Sequence, residues 1–143
     1  MEIMPYESDH LKILSDFGGQ EYLKPHLKSL TDAKYEDRGP AFSGIIDGRI
    51  IGCAGLVEAH QYRAHVWAVL SRTDKPQQFV AIHKAVVRFL DNLAYKRIDA
   101  HVAFNDPYGH RWAAMLGFTR EVYCRAWALP DGSSVTEYVR WRK

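Results

Sequence analysis

At 143 residues, with 47% hydrophobic and 25% charged side chains, the chain is long enough for one domain with its own core and too apolar to be disordered or fibrous. A formal net charge of +2 builds no strong field for nucleic acid or anionic lipid, and the basic finish Arg140-Trp141-Arg142-Lys143 is too short to change that. The two cysteines, Cys53 and Cys124, lie in apolar, strand-like runs, which predicts buried thiols in a reducing compartment and argues against a disulfide framework.

The start, Met1-Glu2-Ile3-Met4-Pro5, lacks the basic-then-apolar pattern of a leader, and no run approaches the roughly 20 apolar residues of a membrane span. A cytoplasmic location without a membrane partner is the expectation. Residues 7–30, broken at Gly18-Gly19, space Leu11, Leu14 and Phe17, then Tyr22, Leu23, Leu27 and Leu30, as two short amphipathic helices. The charged stretch 31–40, ending in Gly39-Pro40, predicts a loop. Ala41 to Ile46 is a β-rich run, Asp47-Gly48 a two-residue hairpin signal, and Arg49 to Val57 the returning strand. Polar Glu58 to Gln61 precedes a third antiparallel strand, Tyr62 to Leu70.

Asp74 then reads as an N-cap, with Pro76 in the first turn and Gln77 three residues on. Phe79, Ile82, Val86, Phe89, Leu90 and Leu93 follow at helical spacing. Ile98 to Phe104 alternates as a half-exposed strand, Asp106-Pro107 starts a helix that stops at Gly117, and strands at about 119–129 and 134–142 are joined by Pro130-Asp131-Gly132. Tyr62, Trp67, Phe79, Phe104, Trp112, Phe118, Trp127 and Trp141 are expected mostly in core and sheet-face packing. His83, His101 and His110 show no metal-ligand spacing and are expected at the surface, so no metal is predicted. The order ααβββαβαββ is a single α+β domain over 1–143, with N-terminal helices and loop in 1–40 and a mixed, mostly antiparallel sheet core in 41–143.

That order resembles the GCN5-related N-acetyltransferase (GNAT) superfamily, and the segment Asn105-Asp106-Pro107-Tyr108-Gly109-His110-Arg111-Trp112-Ala113-Ala114-Met115-Leu116-Gly117-Phe118 is similar to the family's strand-closing Asn, helix and Leu-Gly-Phe turn. The resemblance implies a V-shaped cleft where the strand before the long helix splays from the strand after it. The pantetheine arm of acetyl-CoA would lie there as an added strand, with its pyrophosphate on the helix N-terminus. It places coenzyme contacts at Val69, Leu70, Ser71, Arg72, Lys75, Gln77, Asn105, Tyr108 and Arg111. Glu58, ahead of His65, is then the candidate base, with Tyr108 standing in as the acid.

The implied activity is acetyl transfer to a small-molecule or protein amine, edge strands leave a homodimer open, and nucleic acid is not expected. Two departures are visible. Arg72-Thr73-Asp74-Lys75-Pro76-Gln77 holds no glycine where the family's phosphate turn has several, and the family's Tyr position falls on Trp112 or Ala113. Such a turn, together with Arg111-Trp112 ahead of Leu116-Gly117-Phe118 and an Asp131-Gly132 hairpin near the end, also resembles short phage-encoded proteins of this fold, so a non-catalytic structural or interaction module is the rival expectation.

Overall fold

The computed structural model describes residues 1–16, 30–71 and 75–142. Its strands are β1 (Glu2–Pro5), β2 (Ala41–Ile46), β3 (Arg49–His60), β4 (Arg63–Leu70), β5 (Arg97–Ala103), β6 (Thr119–Arg125) and β7 (Val135–Trp141), and its helices include α1 (Ser8–Asp16), α2 (Pro76–Asp91) and α3 (Pro107–Met115). The class is α+β, with one mixed, mostly antiparallel seven-stranded sheet in the order β1-β2-β3-β4-β5-β7-β6. Strand β1 is an addition to the expected order. Four residues ending in Pro5 carry too little pattern to register as a strand, and it forms by antiparallel pairing with β2, from Glu2↔Ile45 to Pro5↔Phe42. The second N-terminal helix, expected on the spacing of Tyr22, Leu23, Leu27 and Leu30, falls outside the described residues except at its end, and the Asp74 cap falls outside them; residues 30–32 are helical, and a short 3₁₀ turn, Tyr35–Asp37, interrupts the predicted loop.

The fold divides into two compact units, Met1–Val57 with Trp67–Asp91, and Glu58–Val66 with Asn92–Lys143, so that β3 and β4 run through both. In the first, the β2–β3 hairpin turns at Asp47 and Gly48, whose φ values of 52° and 74° are the two left-handed residues such a turn requires. Its register skips one residue, from Gly44↔Gly52 to Ile45↔Ile50, a bulge in β3. Tyr6, Leu11, Leu14, Cys53, Trp67 and Val69 form one buried cluster, with Leu30, Tyr35, Ala41, Ile50 and Val57 packed against it. Tyr35 stacks on Trp67 at 4.5 Å between ring centroids, and Tyr6 meets the same indole edge-on at 5.0 Å. Helix α2 buries Ile82 and Leu90, and Phe89 packs edge-on against Phe42.

In the second unit β5 pairs with β7 from Arg97↔Trp141 to Ala103↔Val135, and β7 pairs with β6. Helix α3 ends as predicted at Gly117, with φ 90°. The Gly117 amide donates to Ala114 O and the Phe118 amide to Ala113 O, the paired closing bonds of a Schellman motif. Ala113 and Phe118 are buried beneath it.

Several expectations are corrected here. Strand β6 ends at Arg125, short of 129, and Trp127 in the following loop takes φ 57° and is 83% exposed. Tyr62, Phe104 and Trp141 are exposed as well, so among the predicted core aromatics Trp67 and Phe118 are the buried ones. Cys124 is exposed because β6 is the last strand of the sheet and six of its seven residues are exposed. Asn105 does not close a strand or cap a helix: β5 ends at Ala103, Asn105 sits in a turn, and Asp106 is the N-cap.

Candidate active site

The coenzyme positions expected in the first unit are the end of β4 and the start of α2. Val69 is buried and Leu70 half-buried. The Ser71 amide donates to Ile51 O at 2.8 Å, tying the strand end to β3. Helix α2 begins at Pro76, which has no N–H to offer, and the Gln78 amide donates to Lys75 O at 3.0 Å. Lys75 and Gln77 are exposed beside that helix start, and Arg72 lies outside the described residues.

The first unit also holds a buried polar thread. Ser43 Oγ lies 2.7 Å from His10 Nδ1 and 3.3 Å from Cys53 Sγ, and the Glu7 amide donates to the same His10 nitrogen at 3.2 Å. A hydroxyl, an imidazole and a thiol in a row suggest nucleophilic chemistry. Ser43 and Cys53 are fully covered, however, and burial pushes the Cys53 thiol up to about 11, so the thiolate that would attack is suppressed. The thread joins α1 to β2 and β3.

The chemistry-bearing side chains of the second unit lie on one face of its strands. Strand β4 pairs with β5 in parallel at Arg63↔Arg97, Ala64↔Ile98 and His65↔Asp99. Buried Asp99 accepts from Arg63 Nε and, at 2.7 Å, from Arg97 Nε; Arg97 also donates to both oxygens of Glu121, at 2.9 and 2.5 Å. These bonds hold Arg97 in its charged form and the Glu121 carboxyl below its ordinary range. On the same face His65 meets His101 edge-on, ring centroids 4.8 Å apart, and His101 Nε2 lies 3.4 Å from Glu137 Oε1, which also accepts from Arg125 Nε at 2.6 Å. His65 is half-buried; loss of solvent, reinforced by His101, pushes its pKa down to about 4. His65 is therefore a neutral imidazole at physiological pH.

The remaining candidates are separate from that group. Glu58, at the exposed end of β3, accepts a 2.6 Å bond from the Tyr95 hydroxyl, which raises the Tyr95 pKa. Tyr108 is 60% exposed on α3, with the Arg111 guanidinium 4.9 Å from its ring centroid. His110, expected on a solvated turn, is half-buried instead: its Nδ1 lies 2.8 Å from the Tyr138 hydroxyl and its Nε2 2.9 Å from Phe104 O, bonds that fix α3 to its strands. Sequence reading passed over His101, Glu137 and Asp99 as site residues, because their meeting depends on a strand register that no local pattern encodes. Among the described residues no group of three His, Cys, Asp or Glu side chains is arranged to hold a metal ion, and no helix is long and apolar enough to cross a membrane.

No protein-family model matches the chain, and no curated protein matches it in sequence. Solved structures do match it, end to end. A probable acetyltransferase from Staphylococcus epidermidis superposes with a TM-score of 0.75 at 11% identity, over 99% of both chains. The fold is that of the N-acetyltransferases. An aminoglycoside 6'-acetyltransferase of type Ii matches with a TM-score of 0.69 at 13% identity, over 99% of this chain and 97% of its own. A chimera of the spermidine N-acetyltransferase SpeG from Vibrio cholerae with hSSAT matches at 0.65 and 15% identity, over 99% and 96%. At such identities the N-acetyltransferase likeness is one of fold, and side chains at the site have to be argued from their own chemistry.

Proposed function

We propose that the chain is an acetyl-CoA-dependent N-acetyltransferase that moves the acetyl group directly to a primary amine. The observation that carries this reading is the N-acetyltransferase fold shared over 97–99% of the chain with the solved acetyltransferases it matches. The residues of the first unit fit the coenzyme. Helix α2, sixteen residues long, starts beside exposed Lys75, and its N-terminal dipole with the Gln77 amide and the Lys75 cation suits a pyrophosphate. When bound, acetyl-CoA supplies the activated acetyl group. The glycine-free turn leaves that fit to the lysine and the helix end more than to a close backbone cradle.

His65 is the base in this reading, ahead of Glu58, whose carboxylate is exposed and already engaged by Tyr95. An imidazole with a pKa of about 4 is too weak to take a proton from a free ammonium. It suffices once the new C–N bond is forming, because bond formation makes the amine nitrogen strongly acidic. A departing thiolate, with a pKa of about 8.5 as for a free thiol, needs no strong acid; water or the exposed Tyr108 hydroxyl can return its proton. The absence of Tyr at 112 and 113 is thereby tolerable.

Titration calorimetry and thermal stabilisation with acetyl-CoA test the reading, followed by acetyl transfer to a panel containing a polyamine, an aminoglycoside and a lysine peptide. Heat of binding and one acetylated amine are expected. The absence of both heat and thermal stabilisation at about millimolar coenzyme overturns the reading.

A second reading, a module that keeps the fold without the chemistry, is favoured by the exposed aromatics of the second unit, Tyr123 at 64% and Trp127 at 83%, and goes with the resemblance to phage-encoded proteins. Its mark is a stable protein partner in the absence of coenzyme binding.

A further inference from the structure

Resting on the reading of His65 as base, we propose that His101, held by Glu137, is the positioning and relay residue that passes the proton from His65 to solvent. A base that is half-buried must shed its proton before the next turnover, and the route out is the question the geometry answers. His65 and His101 lie on neighbouring strands, on one face, with rings edge to face at 4.8 Å and 69°. Rings this close exchange a proton by ring rotation or through one water.

His101 is the outward member, its side chain 42% exposed against a half-buried His65. Glu137, its register partner on β7, holds the imidazole by Nε2 and steadies the charge that arrives there. Arg63 and Arg97 both pair with Asp99, Arg97 also pairs with Glu121, and Arg125 shares the Glu137 oxygen; Asp99 and Glu137 both favour a proton on His65 while Arg63 and His101 oppose it, and Glu137 is the carboxylate paired with His101.

The proton balance closes: the amine N–H bond breaks, an N–H bond forms on His65, the proton moves to His101, and a water molecule or buffer base removes it. Two imidazolium charges at this distance oppose each other, so His65 returns to its neutral form when His101 holds the proton.

The test uses the full chain, wild type and His101→Gln, with far-ultraviolet circular dichroism as the folding control. Imidazole nitrogen NMR titrations should show the His65 midpoint rising by on the order of half a unit in the variant, because the like charge facing it is gone. A midpoint that does not move overturns the proposal, whether or not an amine acceptor has been found. With an acceptor in hand, kcat of His101→Gln should fall by about tenfold with KM kept, and added imidazole buffer should restore it. A kcat that is unchanged and independent of buffer concentration also overturns it. Failure to bind acetyl-CoA counts against the acetyl-transfer reading itself, and the titration then still decides whether the two histidines act as a pair.

Discussion

The two units solve the same packing problem with different materials. The first buries a tight aromatic and aliphatic cluster around Trp67, beside the sealed polar thread of Ser43, His10 and Cys53. The second keeps charge on a strand face, where Asp99, Glu121 and Glu137 are each matched by arginine and two histidines meet. A sealed core contributes stability through excluded water, whereas a face of matched charges contributes little net stability and leaves titratable groups close enough to work on one another. Chemistry is therefore expected from the second and rigidity from the first.

The largest test of that contrast compares two tryptophans. Trp67→Ala removes an indole held by Tyr35 and Tyr6 inside the cluster and should cost about 3–5 kcal/mol in urea unfolding. Trp127→Ala removes one that is 83% exposed and should stay within about 0.5 kcal/mol. Equal losses would erase the distinction between the units.

Next in size is the pH response of the second unit. Unfolded, the His65 imidazole titrates near 6.5; folded, burial and His101 hold it at about 4. Between those values the unfolded chain binds more protons, so stability from this group is complete above about pH 6.5 and is lost as the pH falls towards 4. The loss should reach at most about 3 kcal/mol. Carboxylates lose their partners in the same range, so the measurement is the difference between wild type and His65→Gln in urea midpoints at pH 7.5 and 4.5. The variant should lose less.

A smaller effect is expected at Gly117, where φ 90° excludes side chains even though an added Cβ would meet nothing nearer than Arg140 Nε at 3.4 Å. Gly117→Ala should cost about 1–2 kcal/mol, almost all of it backbone strain, read as a drop in melting temperature. Since α3 is held by His110 as well as by this turn, the helix should survive the substitution by circular dichroism.

Gly117 also marks what could be read before any fold was known. Positions whose backbone demands a residue type, Gly117 after α3 and Asp47-Gly48 in the hairpin, announce themselves locally, and the amphipathic spacing of Phe79, Ile82 and Leu90 does the same for α2. The site does not. His65 and His101 are 36 residues apart and meet through the β4–β5 register, while Glu137 arrives through β7. Trp127 and Trp141 misled for a related reason: aromatic character reports an affinity for burial, not which side of a strand end a residue occupies. The alternation of Ile98 to Phe104 does not reveal that Asp99 is buried, because a buried carboxylate is legible only with the arginines that neutralise it.

The two cysteines provide the gentlest version of the comparison, because each unit contains one and both can be probed in the unaltered chain. Cys53 is covered by the first unit's cluster, with burial raising its thiol to about 11, so it should be silent to an aromatic disulfide reagent at neutral pH. Cys124 on the open strand β6 should react within minutes, giving one modified thiol in native protein and two in denaturant. Cys124→Ser should leave stability within about 0.5 kcal/mol and abolish the native signal. Two fast thiols in the folded protein would mean that the first unit opens readily, and the assignment of rigidity to it would be wrong.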